Sequence, residues 1–129
     1  MITIEIPNPP EGWIEDATNQ DMFRRDHCGY WLRGVEYDKR LGWLCWEEDT
    51  DGDRPPFGNE PNRYVAIDTW RAGGDLPSGW HRLDRATATR AYVEGVKRYG
   101  VEWYDSPDSD ASRYDILIQL ALLGEIRYS

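Results

Sequence analysis

The sequence predicts an α+β domain: a small, mostly antiparallel sheet with three to four helices packed on one face. Three observations carry this. Apolar residues alternate at Ile2, Ile4 and Ile6, and an aromatic, β-branched run over 30–48 reads as a hairpin. Apolar residues recur at helical spacing over 85–99 and again over 112–123. Gly52, Pro55, Pro56, Gly58 and Pro61 forbid regular structure in the segment between the two halves. At 129 residues the chain reads as one domain, 1–129, long enough to bury a core without staples.

Residues 2–6 form a half-buried strand that Pro7, Pro9 and Pro10 stop. Asp16 can cap a short helix through about Arg25, with Met22 and Phe23 inward. Tyr30 to Glu48 is the hairpin, turning in KRLG. Side chains alternate along a strand, so Leu44 and Trp46 share one face while Trp43 and Cys45 share the other. Both faces carry apolar bulk. Either both are covered or one is a binding surface.

Over 62–72 two patterns compete. Tyr64, Ile67 and Trp70 fit a helix capped by Asn62 and stopped by Gly73, whereas Val65, Ile67 and Thr69 fit a strand. The helix is the favoured reading. Asp84 caps a clearer helix that runs to Tyr99 and stops at Gly100, with Ala88, Tyr92, Val96 and Tyr99 on one stripe. VEWYD then reads as an extended link. The last helix starts near Ser112, with Asp115 placed as the acid of a capping box, and ends before Gly124. Its apolar residues leave almost no polar face, so it demands cover all round, which a second copy would supply through Ile116, Leu117, Leu120 and Leu123. A homodimer is therefore expected. The tail EIRYS alternates as a strand, pairing beside ITIEI with a Glu5–Arg127 ion pair.

One echo runs through the chain. PEGWIEDAT and LPSGWHRLDRAT share Pro-x-Gly-Trp followed by Asp and a helical start. Pro-x-Gly suits a tight turn, and two similar turn-to-helix junctions account for the match.

The formal charge is −9, which sets the chain against bare nucleic acid and anionic lipid as first partners and allows a basic protein partner. Thirteen of the fifteen cations are Arg, the residue that forms planar, bidentate pairs with carboxylates. The opening MITIEIPNPP lacks a basic segment and a small-residue cleavage site, and no apolar run approaches membrane length. A cytoplasmic protein is expected, with Cys28 and Cys45 as reduced core thiols.

Five carboxylates fall within seven residues, Glu47, Glu48, Asp49, Asp51 and Asp53, directly behind GWLCW. With Asp49 as the first position of a calcium loop, Asp51, Asp53 and Glu60 take oxygen-ligand spacing. Arg54 then stands where the loop needs Gly, and Pro55 and Pro56 follow, so no metal is assigned. His27, Cys28, Cys45 and His81 have no zinc-ligand spacing. Neither a nucleophile motif nor a phosphate loop occurs, and no catalytic residues or cofactors are assigned.

Seven Trp and eight Tyr exceed what a core of this size hides completely. Trp, Tyr and Arg are the usual anchors of protein interfaces. Tyr30, Trp31, Trp43 and Trp46 beside the acidic run are the candidate anchors of a partner site, with a Trp-rich core and a wet hairpin tip as the plainer alternative.

The segments GWHRLDRATATRAYVEGVKRYGVEWYD and YDILIQLALLGEIRYS resemble small acidic proteins that phages and other mobile elements encode. That resemblance implies an inhibitor of host machinery acting on a site for basic ligands. The expected function is a non-catalytic binding protein that occupies a basic, nucleic-acid-binding surface of a host protein, an enzyme or a defence component. A nucleotide-sequestering binder using Arg33, Arg63, Arg71 or Arg82 is the second reading. A hydrolase with metal in the acidic loop is the third.

Overall fold

The computed structural model describes residues 12–24, 27–48, 55–100 and 111–128. The expected strand at 2–6, the link at 101–105 and most of the acidic run fall outside them. In chain order the elements are helix α1 (Trp13–Ala17), a 3₁₀ turn (Gln20–Phe23), strands β1 (Leu32–Asp38) and β2 (Gly42–Glu47), helix α2 (Arg63–Ala72), strand β3 (Trp80–Leu83), and helices α3 (Arg85–Tyr99) and α4 (Ala111–Leu123). The class is α+β, with a three-stranded antiparallel sheet in the order β1-β2-β3.

The hairpin forms where its aromatics placed it. Leu32 pairs with Glu47 and Asp38 with Gly42, and a bulge between Gly34 and Glu36 interrupts the register. Asp38 closes the turn by accepting from the backbone N–H groups of Arg40 and Leu41 at 2.8 and 3.1 Å. Gly42 (φ +85°) must be Gly: a Cβ there would stand 2.7 Å from the Leu83 carbonyl oxygen.

The third strand is not the one the sequence suggested. WHRL supplies it, pairing Trp46 with Trp80 and Trp43 with Leu83. Trp80 and Leu83 are both buried, but they belong to different clusters on opposite faces, so no alternation advertises the strand. The tail, by contrast, is not a strand. Gln119 takes a strand's place, its Oε1 accepting from the N–H of Arg127 and of Tyr128 at 2.8 Å each and its Nε2 donating to the Tyr128 carbonyl at 2.9 Å. Arg127 pairs with Glu47 and Glu125 rather than across a sheet.

Helices cover the sheet on both faces, not one. Leu32, Cys45 and Leu83 pack with Trp13, Ala88, Tyr92, Leu117 and Ile118 of α1, α3 and α4. Val35, Leu44 and Trp80 pack with Ala66 and Trp70 of α2. Cys45 and Leu44, adjacent in β2, thus enter different cores.

The helix expected over 16–25 is shorter and split. Gly12 (φ +90°) precedes α1, and Asn19, not Asp16, caps the following turn by accepting from Asp21 N–H. The helix favoured over 62–72 is α2, stopped by Gly73 in the left-handed conformation. α3 keeps its expected limits: the Asp84 carboxylate accepts from Thr87 N–H at 2.8 Å, and Ala88, Tyr92 and Val96 are buried. The Pro-x-Gly-Trp echo resolves into one turn with two sequels. Gly12 and Gly79 both take positive φ, and both following Trp are buried, but Trp13 opens a helix and Trp80 a strand.

Among the described residues no helix is long and apolar enough to cross a membrane.

Candidate functional site

The proposed partner anchors do not converge on one surface. Trp31 is wholly buried, its indole N–H donating to Asp115 Oδ1 at 2.6 Å and its ring stacked on Tyr128 at 5.4 Å. Tyr30 is half-buried and donates its hydroxyl to Asp115. Trp43 donates to the Thr18 carbonyl at 2.9 Å and meets Phe23 edge-on. Trp46 lies on the other face of the sheet, half-buried, with the Arg33 guanidinium 5.7 Å from its ring. Strand alternation divides the set, and helices on both faces enclose it. The surplus of rings inferred from composition is mostly absorbed by two small cores.

The acidic pool is also partly neutralised from within. Glu47 contacts His81 Nε2 at 3.1 Å and accepts from Arg127 at 2.9 Å and from the Tyr128 hydroxyl at 2.5 Å. Burial pushes its pKa up, but the Tyr128, His81 and Arg127 contacts outweigh that and hold it below the usual carboxylate value. Glu48 is buried and lies 2.5 Å from Arg33. Glu60, the last ligand of the imagined calcium loop, is buried as well. It pairs with Arg63 at 2.9 Å and Arg33 at 3.6 Å and accepts from Gly58 N–H at 2.7 Å. Its oxygens are committed to the protein itself. Arg33 and Arg63, assigned to a nucleotide phosphate in the second reading, are held by these same carboxylates. Asp49, Asp51 and Asp53 lie outside the described residues.

One polar cluster went unread in the sequence. Asp115, expected to cap α4, is instead buried in the main core. It accepts from Tyr30, from Trp31 and from Gln119 Nε2, the last at 3.2 Å. Gln119 in turn holds the tail, so a chain of hydrogen bonds links β1's approach, α4 and residues 125–128. The sequence signal was available: Asp115 and Gln119 stand four apart on an otherwise apolar helix, which places both on its buried side. Cys28 lies close by. Burial, then the Asp115 carboxylate and Cys45, push its thiol pKa well up, and burial alone does so for Cys45. His27 bonds the Asp21 carbonyl and His81 meets Glu47, so the four candidate zinc residues are spent separately. Among the described residues no three His, Cys, Asp or Glu side chains gather as a metal site.

The apolar α4 finds much of its cover inside the chain. Leu117 and Leu120, assigned to a dimer contact, are buried in the main core, while Ile116 and Leu123 are half-buried against it.

Exposed apolar side chains lie elsewhere. Tyr64 (80% exposed), Phe57 (66%) and Val65 (57%) stand at the start of α2 and in the loop before it. Tyr64 was expected inward; the buried stripe of α2 is Ala66 and Trp70, which turns Tyr64 and Val65 to solvent. Arg63 bridges this region to the interior, its guanidinium 5.3 Å from the Phe57 ring while it pairs with Glu60. Against known proteins, the chain matches no family model, no curated sequence and no solved structure, so the functional reading rests on its own geometry.

Proposed function

We propose that the chain is a non-catalytic acidic binding protein that occupies a basic surface of a partner protein, as a phage-type inhibitor of a nucleic-acid enzyme or defence component would. The observation that carries this reading is the exposure of Phe57, Tyr64 and Val65 directly after the acidic run in the chain, on a molecule of net charge −9. Glu47 and Glu48 leave the contact, since Arg127 and Arg33 engage them. Asp49, Asp51 and Asp53 remain as the steering charges, and Phe57 and Tyr64 replace the buried tryptophans as anchors. Acids of this kind raise association rates, whereas desolvated aromatics supply most of the affinity.

The test is surface plasmon resonance against a panel of basic nucleic-acid-binding proteins, with duplex DNA as competitor. A partner should be displaced by DNA. Neutralising Asp49, Asp51 and Asp53 to Asn should slow association and reduce its salt dependence. Tyr64→Ala should cost about 2 kcal/mol, near thirtyfold, chiefly through faster dissociation. Binding insensitive to salt and to both sets of substitutions would remove this reading.

A further inference from the structure

A recess of ≈ 280 Å³ lies where the hairpin turn, the C-terminal end of α2 and the start of α3 meet. Arg40, Leu41, Trp70, Arg82, Asp84 and Arg85 form most of its wall. Three features set it apart from the rest of this acidic molecule. First, three guanidiniums face one carboxylate, and that carboxylate, Asp84, is already accepting from Thr87 N–H. Arg40 and Arg85 are exposed, with Glu15 the one carboxylate near Arg85, at 3.9 Å. Arg82 is anchored by donating to the Gly74 carbonyl at 2.5 Å.

Second, Arg85 and Ala86 begin a fifteen-residue helix and line the same recess. Leading N–H groups of a helix have no partner within it and carry its positive dipole end. Third, Trp70 is 99% buried, yet its indole Nε1–H has no hydrogen-bond partner among the described residues. Every other Trp whose indole bond is described here, Trp13, Trp31, Trp43 and Trp80, donates to an oxygen. A buried donor without an acceptor is costly, and an acceptor brought by a ligand removes that cost. The opposing terms are modest: the α2 C-terminus presents carbonyls here, and Gly73 and Gly74 N–H groups already cover those of Trp70 and Thr69.

We infer that this recess binds the phosphate of a small phosphomonoester, held by Arg40, Arg82 and Arg85, the first N–H groups of α3 and the Trp70 indole. Guanidinium forks match phosphate oxygens two at a time, and the helix start favours a dianion. The volume admits phosphate with a small organic group and excludes an extended polymer. This site is independent of the acidic and aromatic surface proposed above.

The experiment is a ¹H–¹⁵N titration of the whole chain with inorganic phosphate, ribose 5-phosphate and adenosine monophosphate at matched ionic strength. Trp70→Phe assigns the indole resonance. Saturable shifts of that indole and of the Arg85 and Ala86 amides are expected. Arg40→Gln with Arg85→Gln, both at exposed positions, should weaken binding by about tenfold or more while leaving other resonances in place. Tighter binding of either ester than of inorganic phosphate identifies an ester ligand; equal binding of all three identifies the free anion and overturns the ester. No saturable shift at these three groups, or unchanged affinity in the double variant, overturns the site. Should Trp70→Phe fail to fold, the two amides and the arginine variant decide alone.

Discussion

Replacing Asp115 with Ala should be among the most damaging single changes in this chain, and replacing it with Asn among the mildest at a buried acid. The carboxylate is 8% exposed and its described partners are neutral donors: the Tyr30 hydroxyl, the Trp31 indole N–H and the Gln119 amide. Ala leaves the Trp31 donor buried without an acceptor. An orphaned buried donor costs about 1–3 kcal/mol, and two lost partners plus the vacated space bring the total to about 3–5 kcal/mol. Against a typical domain stability of about 5–15 kcal/mol, that is a large share. Asn keeps the shape. Its oxygen can accept from Trp31 and Gln119, which both use Oδ1, and its amide can donate to the Tyr30 oxygen. Losing charge assistance should then cost about 1 kcal/mol. Urea unfolding followed by tryptophan fluorescence measures both, with the slope checked for constancy. Equal losses for Ala and Asn, or a loss under about 1 kcal/mol for Ala, would refute the view that hydrogen-bond satisfaction governs this site.

Arg33→Ala strips the guanidinium from Glu48 and one of two from Glu60, both buried, and should cost about 3 kcal/mol, read in the same urea experiment; Arg33→Lys should recover part of it. Alkaline pH should also loosen the tail. The Tyr128 phenol is pushed up to about 12 by burial and by its bond to Glu47, and Tyr114 is pushed to about 12 by burial and the nearby Asp16. Both bind their proton more tightly when folded, so their contribution is whole below pH 10 and is lost as pH rises towards 12. Glu47 has the opposite sign: its contribution is present above the ordinary carboxylate pKa and lost as pH falls below it. The melting temperature should fall at both ends, and Tyr128→Phe should flatten the alkaline limb. Cys28 and Cys45, buried and with raised thiol pKa values, should resist a thiol-specific disulfide reagent until the chain is unfolded; rapid native labelling would contradict their burial.

Much of the local structure was legible because its causes are local. The hairpin, the Asp84 cap and the Gly73 and Gly100 stops follow from side-chain period and backbone conformation, which neighbouring residues impose on one another. Other features were invisible for a shared reason. WHRL pairs as a strand with residues that face different cores, so its pattern lacks a period. EIRYS has the period but finds its partner in one glutamine side chain. Composition alone established an acidic, arginine-rich, aromatic chain of α+β type. Only tertiary packing decided that most of those rings lie inside, that Glu47, Glu48 and Glu60 are answered by the chain's own cations, and that Arg40, Arg82 and Arg85 gather beside an unanswered indole. Burial and charge pairing depend on which distant segments meet, and that is set by the two-faced sheet rather than by any stretch of sequence.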